Sequence, residues 1–97
     1  MAKGYWVVTY RKINAPDKLA EYAKLAGPVI REAGGTFIVR GLPSTTYEFG
    51  VTERVVIAEF DSVELAVAAY ESPAYKEALR VFDGAADRDF RIVGGAD

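Results

Sequence analysis

The order in which strand-like and helix-like stretches follow one another constrains this chain more than any single residue does. From residue 3 to residue 12 the sequence is dense in aromatic and β-branched side chains (Tyr5, Trp6, Val7, Val8, Thr9, Tyr10), which predicts a strand. Asn14-Ala15-Pro16-Asp17 supplies a helix start, with Asn14 as candidate cap and proline in the first turn. Leu19, Tyr22, Ala23, Ala26, Val29, Ile30 and Ala33 then recur at helical spacing. Gly27-Pro28 is expected to kink or split that helix, because proline removes a hydrogen bond, and Gly34-Gly35 to end it. Thr36 to Leu42 and Arg54 to Phe60 read as the second and third strands. The polar stretch Pro43 to Glu53 between them is long for a hairpin loop and is expected to project. A second helix begins at Asp61-Ser62, where either side chain is a candidate cap, and Ser72-Pro73 starts a further short one. Asp89 to Val93 closes the series as the last strand.

The resulting order is β-α-β-β-α-β. Two right-handed crossovers place the helices on one face of a four-stranded antiparallel sheet, an α+β sandwich. Helices can cover only one face, yet the first and third strands carry apolar residues on both. Tyr5, Val7 and Thr9 oppose Trp6, Val8 and Tyr10; Val55 and Ile57 oppose Val56, Ala58 and Phe60. The economical cover for the second face is the same face of another copy, so a homodimer is expected. Without linker, repeat or low-complexity segment, residues 1–97 read as a single domain.

Composition then removes whole classes of function. The chain has no cysteine and no histidine. That excludes disulfides, thiol nucleophiles, zinc-thiolate sites, imidazole bases and histidine-ligated metals or haem. No metal site and no bound cofactor are expected. A net charge of −2 argues against a nucleic-acid partner. No apolar run approaches the roughly 20 residues of a membrane span, and the chain enters strand-like sequence at once, so a cytoplasmic location is the default expectation.

Several short pieces, taken in order, resemble a known family. They are Gly4-Tyr5-Trp6, Gly34-Gly35 with Arg40-Gly41, and Val55-Val56-Ile57-Ala58-Glu59-Phe60 followed by Ser62. Tyr70-Glu71-Ser72-Pro73-Ala74-Tyr75 and Ala86-Asp87-Arg88-Asp89-Phe90 complete the set. The chain is similar to the small bacterial proteins grouped as domain of unknown function 1330, within the dimeric α/β-barrel superfamily. The resemblance covers nearly the whole chain and implies a ferredoxin-like fold. Where such proteins often carry a tryptophan in the second hairpin, this one reads Tyr47-Glu48-Phe49-Gly50-Val51. The superfamily implies, by analogy alone, cofactor-free monooxygenases, muconolactone-type isomerases and haem enzymes. The haem branch does not suit a chain that lacks its usual histidine ligand.

Arg40 and Glu59 are the candidate catalytic pair. Read with strict alternation, Arg40 shares a face with Thr36 and Ile38, and Glu59 one with Val55 and Ile57. A hairpin could set them opposite each other, as an arginine holding an anionic or carbonyl substrate beside a carboxylate base. The plainer alternative is a cross-strand salt bridge. Tyr22, Tyr70 and Tyr75 join Arg40 and Glu59 as candidate ligand-binding residues, with core aromatics as the plainer reading. Trp6 reads as packing, Ser72 as a cap, and Asp87-Arg88-Asp89 as a solvated turn.

Three functions therefore compete: an isomerase or cofactor-free oxygenase, a non-catalytic binder of a small acidic or aromatic molecule, and a protein-interaction dimer with a closed interior. A cavity of about 300 Å³ or more between helices and sheet separates the first two from the third.

Overall fold

The computed structural model describes residues 2–96; Met1, where the reading of the chain start begins, and Asp97 lie outside the described residues. The elements are β1 (Gly4–Ile13), α1 (Pro16–Glu32), β2 (Thr36–Gly41), β3 (Val55–Phe60), α2 (Val63–Glu71), α3 (Pro73–Phe82) and β4 (Ala86–Gly94). The four strands form one antiparallel sheet in the order β2-β3-β1-β4. Consecutive β1 and β2 are therefore separated by β3, and β3 and β4 by β1, as two crossovers through helices require.

β1 is central, and its alternation decides where the core lies. Trp6, Val8 and Tyr10 are buried, while Tyr5, Val7 and Thr9 between them keep partial exposure on the other face. Trp6, Phe60 and Tyr75 are the largest fully buried side chains. Trp6 satisfies its indole N–H by donating to the Ala66 carbonyl at 2.8 Å, so burying it leaves no unpaired polar atom. Ala66, Ala69 and Ala78 are also buried. Their small side chains let α2 and α3 settle close around the aromatic cluster.

Three local expectations need correction. Asn14 does not cap α1. The cap position is Ala15, without a side-chain bond, and Asn14 instead donates to the Gly84 carbonyl at 3.3 Å and to Asp87 at 3.4 Å. It ties the β1–α1 corner to the α3–β4 turn. α1 is not split at Gly27-Pro28 either. Pro28 and Lys24 both face solvent, where water can serve the carbonyl that proline leaves without a donor. The last strand begins at Ala86, three residues before Asp89, with consequences described below. Ser62 rather than Asp61 caps α2, accepting from the Leu65 amide at 3.1 Å. α1 does end where the glycines stand, with Gly34 at φ +96°, a conformation that a side chain resists.

The most consequential irregularity is in β2. Phe37 pairs with Ala58 and Val39 with Ile57, so Ile38 is an extra residue in the ladder. Such a bulge shifts the alternation by one. Thr36, before it, lies opposite Glu59 on the outer face; Arg40, after it, lies opposite Val56 on the helix face.

Candidate functional site

A cavity of about 430 Å³ opens between α1 and the sheet. Its helix wall is thin because α1 presents Ala20, Ala23, Ala26 and Gly27 to it. Leucines at those places would fill much of the space. The sheet supplies Trp6, Val8, Val56 and Phe90, so most of the lining is apolar. The polar lining residues are Tyr10, Tyr22, Arg40, Arg54 and Arg88: phenols and guanidinium groups, with no carboxylate among them.

Each arginine arrives from a different strand or strand end. Arg40 reaches the cavity through the β2 bulge, and its guanidinium carbon sits 4.8 Å from the Phe37 ring centre. Arg54 precedes β3, its backbone carbonyl fixed by the Tyr10 amide at 2.9 Å. Arg88 lies opposite Tyr10 on β4. Its guanidinium carbon is 4.1 Å from the Phe82 ring centre, 5.1 Å from Phe90, 5.3 Å from Tyr22 and 5.8 Å from Tyr10. Such faces attract a cation. None of the three arginines forms a salt bridge among the described residues.

A phenol pair backs this arrangement. The Tyr22 and Tyr75 hydroxyls are 2.5 Å apart, and Arg88 Nη1 donates to the Tyr22 oxygen at 3.2 Å. Burial pushes Tyr75 well above the usual phenol range, and the neighbouring Tyr22 adds to the shift. Burial also raises Tyr10. Burial works against the charge on Arg88, but the oxygens of Tyr22, Tyr75 and Tyr10 outweigh it and hold its pKa above the ordinary arginine value. The Arg88 guanidinium is charged and the Tyr75 and Tyr10 phenols are neutral throughout the physiological range.

The structure divides the sequence-predicted residues. Arg40 and Tyr22 line the cavity. Tyr75 stands behind Tyr22, fully buried. Tyr70 packs edge-on against Trp6 and Phe90 and at a tilt against Tyr75, but does not line the cavity. Glu59 is on the opposite face of the sheet, accepting from the Tyr5 hydroxyl at 3.0 Å with Lys3 at 3.9 Å. The expected Arg40–Glu59 juxtaposition is therefore incorrect, both as a catalytic pair and as a salt bridge. The reason is the extra residue at Ile38, which turns Arg40 inward while Glu59 stays outside.

Arg54 and Arg88 were missed by sequence reasoning. Arg88 carried a usable signal: it shares parity with Phe90 and Ile92, the apolar side of β4, while Asp87, Asp89 and Arg91 share the other. Starting the strand at Asp89 hid that register. Among the described residues no cluster of metal-ligating side chains occurs, and no helix is long and apolar enough to cross a membrane.

Four antiparallel strands in βαββαβ order, with the helices and a cavity on one face, define a ferredoxin-like α+β protein. Solved structures of that class superpose on it. RPA0582 from Rhodopseudomonas palustris, of unknown function, is 24% identical, with a TM-score of 0.71 over 99% of this chain and 84% of that one. A dimeric ferredoxin-like protein of unknown function from Thermobifida fusca is 16% identical, at 0.63 over 96% and 91%. SnoaB, a cofactor-independent oxygenase from Streptomyces nogalater, is 12% identical, at 0.69 over 100% and 96%. At such identities the likeness speaks for the fold alone. No curated protein sequence matches the chain. The chain belongs to the family described as Domain of unknown function (DUF1330), whose model matches residues 3–96.

Proposed function

We propose that this protein, as a single-domain homodimer, binds a small organic anion with an apolar or aromatic body in the α1–sheet cavity. One observation carries the reading: three arginines without carboxylate partners line the same largely apolar space. Arg54 and Arg88 are partly buried while Arg40 is exposed at the rim, and a guanidinium drawn out of water without a counter-charge is costly unless something anionic completes it. Arginine's fork suits a carboxylate or enolate oxygen pair. The cavity volume of about 430 Å³ suits a ligand of modest size. Its wall offers donors but no carboxylate or imidazole base. Binding and anion stabilisation are thus better supported than proton abstraction by the protein, and the oxygenase and isomerase readings rank second.

The homodimer has its own support. On the outer sheet face Val39 and Val93 are 42% and 46% exposed, and Val7, Val55 and Ile57 are only partly covered. The neighbour from Thermobifida fusca is described as dimeric.

A thermal-shift and calorimetry panel of benzoate, phenylacetate and hexanoate, each beside its neutral amide, tests the anion reading. The carboxylates should stabilise the protein, by about 2.7 kcal/mol at 100 times the dissociation constant, and the amides should not. Arg88→Met should abolish the difference. Equal shifts from acids and amides, or none from either, would overturn the reading.

A further inference from the structure

Every phenol has one proton to donate and two lone pairs to accept with. The Tyr75 hydroxyl is fully buried, and its one side-chain partner among the described residues is the Tyr22 oxygen at 2.5 Å. If Tyr22 donated to Tyr75, the Tyr75 proton would face the core without an acceptor, at the cost of an unmade buried hydrogen bond. Tyr75 is therefore the donor. Arg88 Nη1 has only protons to give, so at 3.2 Å it is also a donor to Tyr22. Both lone pairs of the Tyr22 oxygen are then occupied, one by a phenol and one by a cation. Its own proton can point at neither neighbour.

Tyr22 lines the cavity. We infer that the Tyr75–Tyr22–Arg88 network aims the Tyr22 hydroxyl proton into the cavity, as a preset donor to an anionic oxygen of the ligand. This rests on the anion-binding reading and sharpens it. The recognised group is an oxyanion, a carboxylate or enolate, gripped at one end by a phenol O–H beside a guanidinium. The apolar body of the ligand lies along the small residues of α1. Two donors already directed at the Tyr22 oxygen polarise its O–H bond and strengthen what it donates. Tyr75 touches no ligand in this arrangement; it is a positioning residue. Tyr22 is a contact residue.

The test uses the full-length protein, with benzoate as probe. Wild type is first compared with Tyr22→Phe and Tyr75→Phe by calorimetry. Tyr22→Phe should weaken benzoate at least about tenfold, the scale of a lost hydrogen bond to a charged group. Tyr75→Phe should weaken it by a smaller factor, because the donor remains but is free to turn. Proton NMR of the ligand-free wild type supplies a second readout that needs no binding. The Tyr75 hydroxyl proton should exchange slowly and show a nuclear Overhauser contact to the Tyr22 ring, whereas the Tyr22 hydroxyl proton should exchange fast through the cavity. Thermal melts add a third: Tyr22→Phe, which strands the Tyr75 proton, should lower the midpoint more than Tyr75→Phe does. Benzoate binding that is unchanged in Tyr22→Phe overturns the inference and leaves the anion reading standing. A protected Tyr22 proton with an exposed Tyr75 proton, or the reverse order of midpoints, overturns the donor direction. If wild type binds no benzoate or other carboxylate, the anion reading falls and takes the ligand role of Tyr22 with it.

Discussion

Ser72 joins two helices, and removing its hydroxyl is the sharpest stability test of this fold. The residue closes α2 and opens α3. Its Oγ accepts from the Tyr75 amide at 3.2 Å and donates to the Ala69 carbonyl at 2.8 Å. Ser72→Ala removes both bonds. A lost N-cap costs about 1 kcal/mol, and the second, partly buried bond contributes roughly 1 kcal/mol more. The sum of about 2 kcal/mol corresponds to a fall of roughly 10 °C in melting midpoint for a domain of this length. Thermal and urea unfolding followed by circular dichroism measure it, with Ser72→Thr as a control that keeps a capping hydroxyl. The m-value should stay constant, since the surface exposed on unfolding is unchanged. Benzoate affinity should fall little, because the cap holds the backbone of Tyr75 and not its hydroxyl. A drop below roughly 3 °C, or a loss of binding at unchanged stability, would refute the assignment of Ser72 as a cap.

Three further outcomes are expected. Gly4→Ala should destabilise by about 1–3 kcal/mol in urea unfolding, because a Cβ there would lie 2.4 Å from the Ser62 carbonyl oxygen and 2.7 Å from the Val63 Cα, both backbone atoms; an unaffected midpoint would show the packing at the start of α2 to be loose. Asp89 is held below the usual carboxylate range, first by its hydrogen bond from Arg91 and then by Arg11. Its stabilising contribution is therefore complete above the ordinary pKa of about 4 and is lost as pH falls through the lower folded value. Asp89→Asn should flatten that part of the acid-unfolding curve, and an identical curve would dismiss the pairing. Sedimentation at micromolar concentration should give a dimer, and Val7→Asp, beside Ile57 on the outer face, should give a monomer; a monomeric wild type would refute the two-fold packing.

Much of this molecule was legible before any coordinates. The aromatic and β-branched run of β1, the helical spacing of α1, the Ser72-Pro73 start of α3 and the glycines after α1 are local signals, and local backbone preferences answer to them. The order of elements then leaves few topologies, because crossovers have one hand. That Trp6, Val8 and Tyr10 share one face of β1 follows from simple alternation; that this face meets the helices is seen only in the packing.

The candidate site was only half legible, for a reason that can be named. Alternation transmits a residue's side from one position to the next only while the ladder is regular. One extra residue at Ile38 reversed the side for Arg40 and separated it from Glu59, and nothing in Thr36-Phe37-Ile38-Val39 announces a bulge. Arg88 read as a turn residue because charged neighbours on both sides masked its parity with Phe90 and Ile92. The space itself exists because small residues on α1 face side chains from strands both before and after it in the chain, which no local pattern records. Sequence determined which elements form and which residues of the central strand share a face, through short-range sterics and spacing. Tertiary structure decided which charges share a cavity, because that depends on register summed across three strands, where a single inserted residue changes the answer.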